Sequence, residues 1–109
     1  MDDIEITFGN EIVRLDATVL EVFQLRGMQA GTRIPVNFLG VTVRETRHGD
    51  LEIGLGWRKE PFDGHSTDVL DDDAAVLSPV ARLTLDATQW PRLQPLLIEA
   101  ARRRTIPDA

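Results

Sequence analysis

Residues 33–57 read RIPVNFLGVTVRETRHGDLEIGLGW, and this stretch decides the fold. Two segments of alternating apolar and polar residues, 41–45 and 51–57, flank a polar connection at 46–50 that contains a glycine. Alternation with a period of two on both sides of such a connection predicts a β-hairpin. In the second segment one face is apolar and carries Leu51, Ile53, Leu55 and Trp57. We therefore expect this hairpin to supply one wall of the core.

Strand patterns also precede and follow this hairpin. Residues 4–8 and 11–15 alternate around Gly9-Asn10, and glycine tolerates the positive φ that a tight hairpin turn requires. Residues 18–26, TVLEVFQLR, fit neither a pure helix nor a pure strand pattern. Their β-branched and aromatic content favours a buried strand, with a helix as the alternative. Further strands are predicted at 33–36, as a short edge strand, and at 80–85.

The segment from Trp90 to Arg103 predicts an amphipathic helix. Its apolar residues recur at helical spacing: Trp90, Leu93, Leu97 and Ala100. Asp86 or Thr88 is the expected N-terminal cap, and Pro91 suits the first turn. The predicted fold is mainly β within the α+β class: a bent antiparallel sheet or roll of six to seven strands, capped by one C-terminal amphipathic helix.

Length and composition indicate a single folded domain. The chain has 109 residues, of which 42% are hydrophobic and 28% charged, so one modest core is expected over residues 1–109. We expect the ordered core at about residues 4–104, a flexible acidic loop at about 59–78 and a frayed tail at 105–109.

Charge and residue usage exclude several classes of function. There is no cysteine, so disulfides and zinc sites with thiolate ligands are excluded. The net charge of −6 argues against nucleic acid and anionic membranes as partners. The N-terminus lacks the features of a signal peptide, and no apolar segment approaches the roughly 20 residues of a transmembrane helix. A cytoplasmic location is expected.

Three groups of residues carry a resemblance to a known family. They are Thr7-Phe8-Gly9 with Val13-Arg14-Leu15; Arg33-Ile34-Pro35-Val36 with Val41-Thr42-Val43-Arg44; and Gly49 with Leu51-Glu52-Ile53-Gly54-Leu55, Glu60-Pro61-Phe62 and the C-terminal helix. With these, residues from about 4 to 104 resemble the small bacterial proteins of the pleckstrin-homology-like (PH-like) group. The resemblance implies a strongly bent antiparallel sheet closed by a C-terminal helix.

The same resemblance implies a binding or assembly role without catalysis and without a cofactor. Lipid-binding members of the group hold phosphoinositides with basic residues around the first hairpin loop. In this chain that loop is Phe8-Gly9-Asn10-Glu11, which has no basic residue. Phosphoinositide binding is therefore not expected, and the expected partner is another protein or a second copy of the chain.

Gly54, Gly56 and Trp57 are the candidate contact residues. Two glycines on one face of a strand leave bare backbone that another element can approach closely, and Trp57 ends the same strand. The alternative is that the glycines serve to curve the sheet.

An acidic segment suggests a second function, the binding of a divalent cation. Calcium needs six to eight oxygen ligands, and Asp68, Asp71, Asp72 and Asp73 offer several. Their spacing does not match the known calcium-loop pattern, which favours a solvated loop. His65 with its neighbours Ser66, Thr67 and Asp68 suggests a small hydrolase, but adjacent loop residues rarely converge as a catalytic group must.

The run Arg102-Arg103-Arg104 lies at the end of the predicted helix. Cations there complement the negative end of the helix dipole, and short basic runs are usually solvated. An anion-binding site is the alternative.

Overall fold

A computed structural model describes residues 3–24, 31–61, 76–77 and 80–104. In chain order the elements are β1 (Ile4–Phe8), β2 (Glu11–Asp16), β3 (Val19–Gln24), β4 (Thr32–Pro35), a short 3-10 helix (Val36–Phe38), β5 (Leu39–Glu45), β6 (Leu51–Trp57), β7 (Ala81–Leu85) and α1 (Trp90–Arg102). This order confirms the predicted mainly β class with one C-terminal helix.

The strands form two antiparallel sheets, with the orders β1-β2-β3-β4 and β5-β6-β7, where the sequence predicts one bent sheet. The division falls at Pro35, which ends β4 and lacks the N–H that a β-ladder needs. The 3-10 helix follows at once, and the Val36 N–H donates to the carbonyl oxygen of Thr18 at 2.8 Å. The chain therefore leaves the first sheet at this corner and enters the second.

Both predicted hairpins are confirmed. In the first, Phe8 pairs with Glu11, and Gly9 adopts a φ of 55° in the connection. In the central hairpin, Glu45 pairs with Leu51, and Gly49 adopts a φ of 81°. Glycine is favoured at both turns because a Cβ atom is strained in this left-handed region.

Residues 19–24 form β3, so the strand interpretation of the ambiguous segment is confirmed. β3 lies between β2 and β4. Leu20 and Val22 face the core, while Glu21 faces outward between Arg14 and Arg33 and is 8% exposed. Burial on both faces explains why this segment lacks a clean alternation.

The core lies between the two sheets and the helix. It gathers apolar side chains from the described strands, the 3-10 helix and α1: Phe8, Val13, Leu15, Leu20, Val22, Ile34, Val36, Leu39, Val41, Ile53, Leu55, Leu83, Leu85, Leu93, Leu96, Leu97 and Ala100. Burial of this apolar surface is the main favourable contribution to folding.

The helix begins with a reciprocal cap. Asp86 Oδ1 accepts the backbone N–H groups of Thr88 and Gln89 at 2.8 and 2.9 Å, and Gln89 Oε1 accepts the Asp86 N–H at 3.1 Å. This is a capping box, which confirms Asp86 as the predicted cap. The helix continues through Pro95 to Arg102. No helix in the described ranges is long and apolar enough to cross a bilayer.

Candidate functional site

Two aromatic side chains meet where the 3-10 helix joins the second sheet. The ring centroids of Phe38 and Trp57 are 5.7 Å apart, and the planes are tilted by 49°. Backbone pairing fixes this contact, because Leu39 pairs with Trp57 and the Arg58 N–H donates to the Phe38 carbonyl oxygen at 2.7 Å. Each aromatic residue is 36% exposed. The two rings therefore form a partly exposed aromatic pair whose position is fixed by backbone hydrogen bonds.

Leu77 extends this surface. Its backbone N–H donates to the carbonyl oxygen of Trp57 at 2.8 Å, so Leu77 is held beside the end of β6. Leu77 is 52% exposed. We call Phe38, Trp57 and Leu77 the aromatic patch. Apolar side chains that remain exposed as neighbours mark an interaction site more often than exposed residues scattered singly.

A pocket borders the aromatic patch at Phe38. Its volume is about 200 Å³, and it is lined by Thr18, Pro35, Val36, Asn37, Phe38 and Arg103. Sites for small molecules usually measure about 300–1,000 Å³. The pocket therefore suits a single side chain of a partner better than a cofactor.

Arg103 forms a fixed wall of this pocket. Its Nη1 donates to the carbonyl oxygen of Ala17 at 2.9 Å, and its Nε donates to Glu99 Oε1 at 3.3 Å. Ala17 adopts a φ of 52° in the turn between β2 and β3, a strained conformation for a residue other than glycine. Arg103 thus ties the end of α1 to the β2–β3 turn at one wall of the pocket.

The predicted glycine strip lies on the opposite face of β6 from Trp57. Gly54 and Gly56 are both buried, and Gly56 pairs with Gly40 of β5 on that face. A Cβ atom on Gly40 would lie 2.6 Å from Cγ2 of Val76. Because Gly40 has no side chain, Val76 of the same chain can pack directly against the backbone there. Of the three predicted contact residues, Trp57 is the exposed one.

The arginine run divides into one exposed and two buried residues. The side chain of Arg102 is 74% exposed, whereas Arg103 and Arg104 are each only 9% exposed. Arg104 donates from Nε to the Val36 carbonyl oxygen at 3.1 Å and from Nη2 to the Leu39 carbonyl oxygen at 2.8 Å. The interpretation as a solvated run is wrong for these two residues. Their acceptors are carbonyl groups at the 3-10 helix and the β2–β3 turn, which the sequence pattern does not reveal.

Ion pairs occupy the outer faces of both sheets. Glu52 accepts from Arg44 at 2.9 Å and from Arg82 at 3.1 Å, which links all three strands of the second sheet. On the first sheet Arg14 pairs with Asp3 at 3.2 Å. Because these pairs lie at the solvent-accessible surface, where water and salt screen them, each contributes little to stability.

The proposed metal ligands and the hydrolase residues lie outside the described ranges. These residues are His65, Ser66, Thr67, Asp68, Asp71, Asp72 and Asp73. Within the described ranges, no group of three or more histidine or acidic side chains is placed to hold a metal ion.

No protein-family model matches the sequence, and comparison with curated proteins and with solved structures found no match either. The aromatic patch and its adjoining pocket are thus the features from which a function can be argued.

Proposed function

We propose that the chain is a non-enzymatic, PH-like interaction and assembly domain that acts by protein–protein contact or self-association through the aromatic patch. The observation that carries this proposal is the exposed ring pair of Phe38 and Trp57, with centroids 5.7 Å apart. Tryptophan is enriched among the residues that dominate binding energies at protein interfaces. A rigid aromatic pair also loses little conformational entropy when a partner covers it.

The order of the elements supports the PH-like part of the proposal. Strands in antiparallel sheets precede one C-terminal helix, and the helix contributes Leu93, Leu96, Leu97 and Ala100 to the core. This order agrees with the plan that the sequence resemblance implies. In that plan the sheets and helix act as a scaffold, and the exposed surface provides the function.

The adjoining pocket supports a protein as the partner. A protein interface typically places an apolar anchor in a pocket next to a larger contact surface. The pocket of about 200 Å³ and the aromatic patch share Phe38, so one partner can contact both. The walls at Pro35 and Val36 are apolar, while Thr18 adds a hydroxyl group that can hydrogen-bond to a partner's backbone.

Affinity capture from cells that produce the chain tests the proposal. The baits are the wild-type chain, Phe38→Ser, Trp57→Ser and the matched control Ile98→Ser. Ile98 is 45% exposed on the helix and lies outside the aromatic patch, so its replacement removes similar apolar exposure elsewhere. Captured proteins are compared by quantitative mass spectrometry, and thermal unfolding verifies that each bait is folded.

We expect at least one protein, either a different protein or a second copy of the chain, to bind the wild type and Ile98→Ser equally. Loss of a tryptophan at an interface centre typically costs about 2 kcal/mol or more, which is roughly a 30-fold loss of affinity. Trp57→Ser should therefore remove that protein from the bound fraction. Equal capture by all four baits would refute the role of the aromatic patch.

A further inference from the structure

Among the described strands, β7 lies at one edge of the second sheet. In the order β5-β6-β7 it pairs with β6 on one side only. Within the described ranges, no hydrogen bond from another element reaches the backbone of Ala81–Leu85 on the other side. An edge strand directs alternate N–H and C=O groups away from its sheet, where they can pair with another strand.

The other three edge strands each carry a feature that hinders pairing. In β1 the carbonyl oxygen of Thr7 accepts from Arg92 Nη2 at 3.4 Å. β4 has only four residues and ends in Pro35. In β5 the carbonyl oxygen of Leu39 accepts from Arg104 Nη2 at 2.8 Å. Natural proteins protect sheet edges with such short strands, prolines and covering groups.

β7 lacks those protective features. Its sequence, ARLTL, contains neither proline nor glycine nor lysine. The single charged residue is Arg82, whose Nη1 is directed back to Glu52 Oε1 at 3.1 Å. The inward side chains Leu83 and Leu85 are each 1% exposed, so the strand is firmly held on its own sheet. As far as the described residues extend, β7 is thus an uncovered edge that can act as a template for an incoming strand.

We propose that β7 pairs in antiparallel fashion with β7 of a second copy, so that two three-stranded sheets join into one six-stranded sheet. This inference goes beyond the contact proposed above, because it assigns a second surface through which two copies meet. It uses the edge of β7 and not the aromatic patch, so the two proposals can fail separately.

The length and the charge pattern of β7 together favour one register for this pairing. A two-fold axis through Leu83 pairs all five residues of the strand, with Arg82 opposite Thr84 of the second copy and Ala81 opposite Leu85 of that copy. A two-fold axis through Arg82 would place two arginines directly opposite each other, which is unfavourable. With the axis at Leu83 the apolar faces of both sheets also lie on the same side, because paired residues in antiparallel strands share a face.

Charge variants at Thr84 test the pairing and its register. Thr84 is exposed. In the proposed register, residue 84 of each copy lies opposite Arg82 of the other copy, so Thr84→Glu creates two symmetric pairs of opposite charge. Two new opposite-charge pairs should lower the Kd of the dimer about 2- to 30-fold. Thr84→Arg should raise it by a similar factor. Sedimentation and light scattering over a concentration series into the millimolar range measure both.

The effects that the register predicts for the two Thr84 variants are opposite to the effects that the net charge of the chain alone would produce. At a net charge of −6, an added glutamate increases the general repulsion between copies and an added arginine decreases it. Thr42→Glu and Thr42→Arg are the matched controls. Thr42 lies on β5, the edge strand on the far side of the same sheet, where it pairs with Gly54 of β6. These control variants should show only the general effect.

Hydrogen exchange on the wild-type chain gives a readout that needs no variant. The outward amides of β7 should exchange more slowly as the protein concentration rises, while those of β1 remain unchanged. A chain that stays monomeric throughout the series, or a dimer that ignores the charge at Thr84, would overturn the β7 proposal. A dimer that dissociates in Trp57→Ser but not in Thr84→Arg would also overturn the β7 proposal, and it would support a contact through the aromatic patch.

Discussion

The Nη2 group of Arg104 donates a hydrogen bond to the backbone carbonyl oxygen of Leu39 at 2.8 Å, although the two residues are 65 positions apart. Together with the bond from Nε to the Val36 carbonyl oxygen, it ties the end of the helix to the corner where the chain leaves the first sheet. This corner carries Phe38, so the buried arginine supports the position of the aromatic patch.

Replacing Arg104 with methionine should therefore destabilise the fold. The variant removes two hydrogen bonds from a charged donor and leaves two buried carbonyl groups without these partners, at a cost of about 2–4 kcal/mol in the free energy of unfolding. Urea denaturation measures this difference. The adjacent Arg102 is the control: its side chain is 74% exposed, so Arg102→Met should change stability by no more than about 0.5 kcal/mol. Equal effects at the two positions would contradict the assignment.

Gly40→Ala should destabilise the second sheet. The new Cβ would lie 2.6 Å from Cγ2 and 3.0 Å from Cγ1 of Val76, so one of the two segments must shift. Overpacking of this kind costs about 1–3 kcal/mol. Val76→Ala in the same chain should relieve part of the clash, so the double variant should lose less stability than the two single variants combined. Additive losses would show that Val76 does not pack on Gly40.

Asp86 should make the stability depend on pH at the acid end. Hydrogen bonds from the Thr88 hydroxyl and backbone, and then from the Gln89 backbone, lower the pKa of Asp86. Because the pKa is lower in the folded state, the folded chain binds fewer protons there, so the stabilising effect is complete above the unfolded-state pKa of about 4. It is lost as the pH falls through the lower, folded-state value. Asp86→Asn should flatten this part of a plot of unfolding free energy against pH, whereas an unchanged slope would refute the role of the cap.

Ionisation of Glu11 should lower the stability of the fold, whereas ionisation of Asp86 raises it. Burial raises the pKa of its carboxyl group, so the folded state disfavours the ionised form. The resulting penalty is complete above the raised pKa and disappears as the pH falls below the unfolded-state value. Glu11→Gln should therefore increase the melting temperature at neutral pH and leave it nearly unchanged in acid. A decrease at neutral pH would contradict this direction.

Local patterns in the sequence were sufficient to predict the hairpins and the helix. Alternation around Gly9 and Gly49 depends on neighbouring residues only, and both turns place glycine at positive φ. The capping role of Asp86 is equally local. The division into two sheets could not be predicted, because it depends on how the chain continues after Pro35 and on a hydrogen bond to the distant Thr18.

Only part of the candidate site could be predicted from the sequence, because the rest depends on contacts between distant residues. Trp57 ends an apolar stripe, and only the full structure reveals that it is exposed and that it meets Phe38. The prediction for Gly54 and Gly56 stays a prediction, whereas the close approach of Val76 to Gly40 is a long-range contact that the sequence pattern does not show. The burial of Arg104 is also a long-range effect, because its acceptors belong to a distant corner of the chain.

Amine-reactive crosslinking in intact cells tests the central claim most directly. Lys59 is the single lysine among these 109 residues, and it is exposed two positions after Trp57, so it reports on proteins that lie beside the aromatic patch. If the aromatic patch contacts a protein, Lys59 should crosslink to that protein in the wild type and in Ile98→Ser, but not in Trp57→Ser. Lys59→Arg should abolish the same product and so verify its position. The same Lys59 products in all chains that retain this lysine, or none in the wild type, would contradict the proposed contact surface.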